Sequence, residues 1–307
     1  MAKYRLIVNP ISGRGAGAEA IPTLRQELSM AGLDYDLELT TKPWHAAELA
    51  RSAVREGCEY VVAVGGDGTA NEVLNGLMQA KNAGEGSAVM GVVGVGRGND
   101  FAFGMNVPGG IKEGCETLCD DHQRTIDVGC VTGGLFPDGR YFGNGVGIGF
   151  DAVVGFEALK MKRLSGYLCY VVAALKTMFL YYKAPTVRIE YDKETIEVPA
   201  LMVSIMNGRR MGGGFMMAPE GENDDGQFDV CIAEEVGKAT IFALILRFMQ
   251  GTQASHPAIR MARTESISVT ALQGTLPAHA DGETLCTDGD RLSMTMHPGM
   301  LKIVTQK

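Results

Sequence analysis

An apolar run, Tyr60-Val61-Val62-Ala63-Val64, breaks into Gly65-Gly66-Asp67-Gly68-Thr69 and then resumes with helical spacing at Ala70, Val73, Leu74, Leu77 and Met78. The pattern reads as strand, glycine loop, helix. Three glycines within four positions are expected to take positive φ and to bring bare N–H groups against an anion. The helix then turns its first N–H groups and the positive end of its dipole toward the same place, with Thr69 as the expected N-cap. Such a loop favours phosphate. Asp67 is the discordant residue: either a cation such as Mg²⁺ stands between it and the phosphates, or it only hydrogen-bonds its own turn.

At 307 residues the chain exceeds the usual single domain, so two domains are expected. With 46% hydrophobic and 21% charged residues it reads as an ordinary soluble globular protein. A net charge of −8 argues against a broad nucleic-acid surface. Seven scattered cysteines fit a reduced cytoplasmic compartment. Cys115 and Cys119 are expected in the core, because no second Cys or His pair stands at zinc-ligand spacing. The apolar start, Met1 to Val8, is too short for a signal peptide and is expected to be a first strand. Leu164 to Tyr182 is the longest apolar stretch, interrupted by Ser165, Gly166 and Lys176 and flanked by Lys160, Lys162, Arg163 and Lys183. It suits either a plain core helix or a helix lying on an anionic membrane surface.

Strands alternate with helices over the first hundred residues. After the first strand come Asn9-Pro10-Ile11-Ser12-Gly13-Arg14-Gly15, a helix with Ile21, Leu24, Leu28 and Ala31 on one face, a strand from Tyr35 to Thr40, a helix from about His45 to Gly57, and a strand from Val89 to Val95 beyond the opening loop. This order implies an α/β domain with a parallel, doubly wound sheet and a ligand crevice at the carboxyl ends of its strands. Asn9 to Gly17, Gly65 to Thr69 and Gly94 to Asp100 each follow a strand and are expected to converge there. Gly13-x-Gly15-x-x-Ala18 matches a loose dinucleotide fingerprint, but Asn9 to Ser12 lengthen the turn beyond what that motif uses. There is no Walker P-loop and no Gly-x-Ser-x-Gly elbow.

From about Arg124 the segments are short, alternating and β-rich: Thr125–Val131, Arg140–Gly149, Thr186–Tyr191, Thr195–Asn207, Phe228–Glu234, Glu265–Thr270 and Leu292–His297. Long helices are expected only near 151–183 and 237–250. A mostly antiparallel β-sandwich domain over 125–297 therefore follows an α/β domain over 1–124, and 298–307 either closes the second domain or returns to the first as a strand. Ala218 to Asp229 gathers five carboxylates in one turn, either a solvated acidic loop or a hard-cation site. His279-Ala280-Asp281-Gly282-Glu283 is either an extended segment with His279, Asp281 and Glu283 on one face, able to take a proton from a hydroxyl, or a hairpin turn at Asp281-Gly282. Met211, Phe215, Met216 and Met217 suit a core or an acyl groove.

Taken in order, Asn9-Pro10-x-Ser12-Gly13, Gly65-Gly66-Asp67-Gly68-Thr69-x-Asn71-Glu72, Gly98-Asn99-Asp100-Phe101, Asp224-Asp225-Gly226 and Asp281-Gly282-Glu283 resemble the diacylglycerol kinase catalytic-domain family, which includes bacterial soluble lipid kinases and sphingosine kinases. The resemblance runs from residue 9 to 283. It implies an ATP-dependent lipid kinase with an N-terminal nucleotide domain and a C-terminal lipid domain, ATP lying between them, working in the cytoplasm as a transient, peripheral membrane visitor. By position it implies that Asn9, Pro10, Ser12, Gly13, Thr40, Gly65, Gly66, Asp67, Gly68, Thr69, Asn71 and Glu72 line the nucleotide site. Asp67 and Asp100 would manage the phosphates and a catalytic Mg²⁺, Asp225 with the carbonyls of Glu222 and Gln227 would hold a structural Mg²⁺, and Glu283 would be the general base. Arg97 stands where the family carries threonine, and either reaches a phosphate or packs at the surface. Two rival readings are a kinase of the same superfamily acting on a soluble substrate such as NAD, and a nucleotide- and lipid-binding regulator without turnover. The acceptor lipid and the oligomeric state, a dimer included, are left open.

Overall fold

The structure is a computed structural model that describes residues 2–96, 98–161, 167–180 and 183–307. The chain divides into two compact units, Met1–Ile126 with Gly299–Lys307, and Asp127–Pro298.

The first unit runs β1 (Tyr4–Val8), α1 (Ala16–Met30), β2 (Tyr35–Leu39), α2 (His45–Arg55), β3 (Tyr60–Gly65), α3 (Asp67–Asn82), β4 (Val89–Gly94), α4 (Asp100–Gly104) and α5 (Ile111–Asp120). Its strands pair in parallel in the order β4, β3, β1, β2. The order reverses between β1 and β3, which is where a doubly wound sheet opens its crevice. β1 and β3 read as continuous apolar runs because helices cover the sheet, and both are buried throughout. The apolar stripe of α3, Ala70, Val73, Leu74, Leu77 and Met78, is buried as its spacing predicts. Cys115 is buried, whereas Cys119 at the end of α5 is exposed, contrary to expectation. One turn of helix separates the two, and at the fraying end of α5 the second cysteine faces water. All seven cysteines are free.

β5 (Gln123–Gly133) leads into the second unit, which contains β6 (Phe136–Phe142), β7 (Gly145–Gly149), α6 (Phe150–Lys160), α7 (Tyr167–Leu180), β8 (Thr186–Tyr191), β9 (Glu194–Met206), the short pair β10 (Arg210–Met211) and β11 (Phe215–Met216), β12 (Phe228–Glu234), α8 (Lys238–Gln250), β13 (Ile259–Thr264), β14 (Ser266–Gln273), β15 (Leu276–Ala280), β16 (Glu283–Gly289) and the start of β17 (Arg291–Val304). β9 serves two sheets: its first half pairs with β8 and its second half with β7 and β12. One sheet runs β9, β8, β14, β17, β5, β6 and the other β16, β15, β7, β9, β12, β13. Between them lies one core, with Phe142 stacked on Phe228 at 5.5 Å and Val146, Ile189, Ile205, Val269 and Leu292 around the pair. The outer face of the second sheet packs against α6, α7 and α8 through Phe150, Val154, Met202, Met206, Ile241 and Phe248. Met211, Phe215 and Met217 are buried in that same layer.

The end of β17 returns to the first unit, where Ile303 pairs in parallel with Met90 and the Thr305 hydroxyl donates to the Met105 carbonyl at 2.7 Å.

Two expectations change. Arg140 to Gly149 is not one strand but β6 and β7, because Gly143 and Asn144 break the run and their amides are claimed from elsewhere. The apolar stretch Leu164 to Tyr182 is represented by α7; its positions 164–166 and 181–182 lie outside the described residues. Among the described residues no helix is long and apolar enough to cross a membrane.

Candidate active site

In the first unit the three glycine-rich segments meet at the carboxyl ends of the strands. A side chain on Gly13, which has φ 59°, would start 2.2 Å from the Val95 carbonyl, and one on Gly96 would start 2.4 Å from the Gly66 α-carbon. The Ser12 hydroxyl reaches the same contact, 3.4 Å from where a Gly66 side chain would begin. Asn9 accepts the Ile11 N–H at Oδ1 and donates from Nδ2 to the Thr69 hydroxyl at 3.1 Å. Thr40 joins this edge by donating its N–H to the Val8 carbonyl at 2.9 Å. Pro10 follows Asn9 in the loop, and its carbonyl accepts the Ala18 N–H.

The central loop works differently from its sequence reading. Gly65, Gly66 and Gly68 are absent from the positions with positive φ; Gly66 is the N-cap, with φ −98° and ψ −168°. Their value is closeness, since a Gly65 side chain would start 2.3 Å from the Thr69 hydroxyl. Thr69 is therefore not the N-cap: α3 begins two residues earlier, and the Thr69 hydroxyl lies in the first turn and accepts from Asn9. Asn71 is fully buried and accepts from the Asn75 amide at 3.2 Å. Glu72 accepts the N–H groups of Trp44 and Ala46 at 2.9 and 3.0 Å, one per carboxylate oxygen, so it ties the start of α2 to α3.

Asp67 and Asp100 face each other's loop. Asp67 Oδ1 accepts the Phe101 N–H at 2.9 Å. The Oδ2 atoms of both aspartates lie 3.1 Å from the point where a side chain on Gly98 would begin. Two hard oxygen donors thus converge at the mouth of the α3 N-terminus, which is donor chemistry that Mg²⁺ takes when it shares phosphate ligands. Arg97 lies outside the described residues.

In the second unit Asp281 and Gly282, with φ 47° and 84°, form a two-residue hairpin turn between β15 and β16. The extended reading therefore fails: Ala280 pairs with Glu283 and His279 with Thr284, so His279 and Glu283 occupy opposite faces. The turn is fixed from one side by the buried Asp281, whose carboxylate accepts the N–H groups of Gly143, Asn144 and Gly145 at 2.9, 3.0 and 2.8 Å. From the other side, the Gly282 N–H donates to His279 Nδ1 at 3.4 Å. Glu283, half-buried, opens β16 directly after this anchored turn.

The acidic loop is held by its own backbone. Gly226 donates to Asp127 Oδ2 at 2.6 Å, Asp127 donates its N–H to the Asn223 carbonyl at 2.8 Å, and Gln227 donates to Asp225 Oδ1 at 3.0 Å. Asp225 is ion-paired with Arg263, which also lies 3.4 Å from Asp229. Burial, with Glu222 and Glu220 nearby, pushes the Asp229 carboxyl up to about 6. Glu222 itself is exposed. Among the described residues no three His, Cys, Asp or Glu side chains gather as a metal site. Asp225 and the loop's backbone carbonyls are a hard-oxygen set, beside which Arg263 supplies the positive charge.

The family description "Diacylglycerol kinase catalytic domain" matches residues 3–131, and "YegS C-terminal NAD kinase beta sandwich-like domain" matches residues 144–305. The chain belongs to the diacylglycerol kinase catalytic-domain family. It is 28% identical over 282 residues to a diacylglycerol kinase of Staphylococcus saprophyticus, covering 92% of this chain and 88% of the relative. It is 29% identical over 282 residues to one of Staphylococcus epidermidis, covering 92% and 85%. A crystal structure described as a diacylglycerol kinase from Bacillus anthracis superposes with a TM-score of 0.74 at 22% identity, covering 99% of this chain and 97% of that one, and so shares the fold. Membership of the diacylglycerol kinase family makes the chain a kinase.

Proposed function

We propose that this kinase transfers the γ-phosphoryl group of ATP to the hydroxyl of a membrane lipid, with diacylglycerol, the acceptor in its relatives' names, as the leading candidate. The observation that carries this reading is the convergence of Asp67 and Asp100 beside Gly98, at the mouth of a helix N-terminus. The α3 N–H groups and the loops around Asn9, Ser12, Gly13, Gly66 and Gly68 would receive phosphate oxygens. Asp67 and Asp100 would hold Mg²⁺, which when bound neutralises charge on the transferring phosphoryl group. Thr40 would contact the nucleotide from the end of β2.

Phosphoryl transfer asks the protein mainly for positioning and charge, plus a group that accepts the acceptor's proton. Glu283 is assigned that role: the carboxylate takes the hydroxyl proton as the new P–O bond forms. Asp281, held by three amides, fixes the turn from which Glu283 projects. A second Mg²⁺, bound by Asp225 with the carbonyls of Glu222 and Gln227, would brace the acidic loop by displacing Arg263. Exposed Phe242, Leu246 and Met249 fall at i, i+4 and i+7 on α8 and would rest on the bilayer from which the lipid is drawn.

The test is transfer from labelled ATP to diacylglycerol in mixed micelles, with a soluble polyol and NAD as competing acceptors. Label in the lipid supports the reading, and label only in a soluble acceptor overturns it.

A further inference from the structure

One transverse row of the second unit's outer sheet face sets His279 and Ser204 on either side of a glycine. Across four strands it reads His279, Gly147, Ser204, Cys231, each paired directly with the next. The glycine leaves a gap in that row, and the Asp151 carboxyl descends into it from the first turn of α6. A side chain on Gly147 would start 2.3 Å from Asp151 Oδ2 and 2.6 Å from His279 Nε2. The Ser204 hydroxyl donates to Asp151 Oδ2 at 3.1 Å, and Asp151 Oδ1 accepts the Ala152 N–H at 2.8 Å.

No hydrogen bond joins Asp151 to His279. His279 Nδ1 accepts the Gly282 N–H, which leaves the proton on Nε2, and this donor has no partner among the described residues. Asp151 and His279 are both half-buried. Beside Pro277 is a pocket of about 410 Å³ with a mixed lining, Val153 and Phe156 of α6 and Pro185 alongside Lys183, Gln273 and Thr287. Pro277 and His279 alternate onto one face of the strand, so the apolar wall of the pocket at Pro277 lies one residue pair along from the polar gap.

Resting on the lipid-kinase reading, we propose that Asp151 and His279 form a specificity site for an uncharged oxygen of the acceptor lipid, an ester carbonyl or second hydroxyl, with the adjoining pocket taking apolar chain. Burial works to the same end. It pushes the Asp151 carboxyl up to about 7 and the His279 imidazole down to about 4. At neutral pH the imidazole is therefore uncharged and the carboxyl about half protonated, so the gap offers donors and acceptors with less charge than an exposed carboxylate carries, which suits a glycerol ester. Since His279 and Glu283 face opposite ways from one hairpin, the oxygen read here is not the hydroxyl that reacts. The imidazole instead links that oxygen, at Nε2, to the turn that presents Glu283, at Nδ1.

The experiment compares kcat/KM for diacylglycerol with that for a long-chain alcohol that has no second oxygen, in wild type, His279→Ala, Asp151→Ala and the shape-conserving His279→Gln and Asp151→Asn. Loss of about tenfold on diacylglycerol alone, with KM for ATP unchanged and partial recovery in the conservative variants, is the expected result. Equal loss on both acceptors, or loss on neither, overturns the assignment, and if an alanine variant does not fold its conservative partner decides. A nucleotide-free measurement separates this inference from the catalytic one: the imidazole ¹⁵N signal of His279 should shift on adding dioctanoylglycerol micelles but not octanol micelles. No such shift overturns the site even in an active enzyme. A shift without phosphoryl transfer upholds the site and overturns the kinase reading instead.

Discussion

Asp67 and Asp100 turn their Oδ2 atoms toward the same α-carbon, each 3.1 Å from where a side chain on Gly98 would begin, although 33 residues separate them in the chain. β3 and β4 are neighbours in register, so the residues just beyond their ends meet without any special folding. Removing either carboxylate as Asp67→Asn or Asp100→Asn is expected to lower kcat by about a hundred- to a thousandfold and to raise the Mg²⁺ concentration needed for half activity. Steady-state rates across a Mg²⁺ titration check this, and an unchanged Mg²⁺ requirement in both variants contradicts it. In the Asp67→Asn variant the Phe101 N–H keeps an acceptor, so thermal stability should hold.

The anchored turn gives a prediction that separates structure from chemistry. Asp281→Ala leaves three buried amides without their acceptor and should cost about 3 kcal/mol or more in denaturant unfolding, with activity lost through displacement of Glu283. Glu283→Gln, by contrast, should unfold at the wild-type midpoint. If Asp281→Ala is as stable as wild type, the three-amide anchor is not what holds the turn.

Asp151 and His279 bias stability in opposite directions with pH. The folded state keeps the Asp151 proton up to about 7 whereas the unfolded chain releases it near 3.8, so this group's stabilisation, complete at low pH, is lost as pH rises through that window. His279 is protonated in the unfolded chain below 6.5 but in the folded state only below about 4, so its contribution is present above 6.5 and lost as pH falls toward 4. The two slopes oppose each other between about 4 and 6.5, each worth roughly 3 kcal/mol over that shared range. Urea unfolding against pH should therefore be flatter in wild type than in either variant: Asp151→Asn should gain stability with rising pH and His279→Gln should lose it. Parallel profiles in all three proteins contradict the assignment.

The apolar stripe of α8 predicts a vesicle effect. Phe242→Ser with Leu246→Ser should reduce binding to anionic lipid vesicles about tenfold or more while leaving phosphorylation of a micellar short-chain acceptor within about twofold. Unaltered vesicle binding removes α8 from the docking surface.

Much of this was legible in the residues because local chemistry and fold agree. The alternation of apolar runs and helical stripes through Gly94 marks the parallel sheet, and the three loops that follow its strands do meet. The roles of individual side chains were less legible. Glycine has two uses, unusual φ and close approach, and composition does not separate them, so Gly65, Gly66 and Gly68 read as φ > 0 when they serve proximity. Glu72 reads as part of a ligand motif, and nothing local to it signals that its carboxylate also caps the start of α2. Ser204, Gly147 and Asp151 carry no local pattern; only the register of β7, β9 and β15 joins them. Asp281-Gly282 did carry a signal, the two-residue hairpin preference, and that preference prevailed over the extended alternative.

The central claim is phosphoryl transfer from ATP to a lipid hydroxyl with Glu283 as base. It is tested most directly by incubating the protein with γ-labelled ATP, Mg²⁺ and a total lipid extract, and identifying the labelled products by mass spectrometry for wild type and Glu283→Gln. The account predicts a labelled phosphatidate from the wild type and none from the variant, with equal ATP binding by both. Label in a water-soluble acceptor alone, or equal labelled lipid from the two proteins, would contradict it.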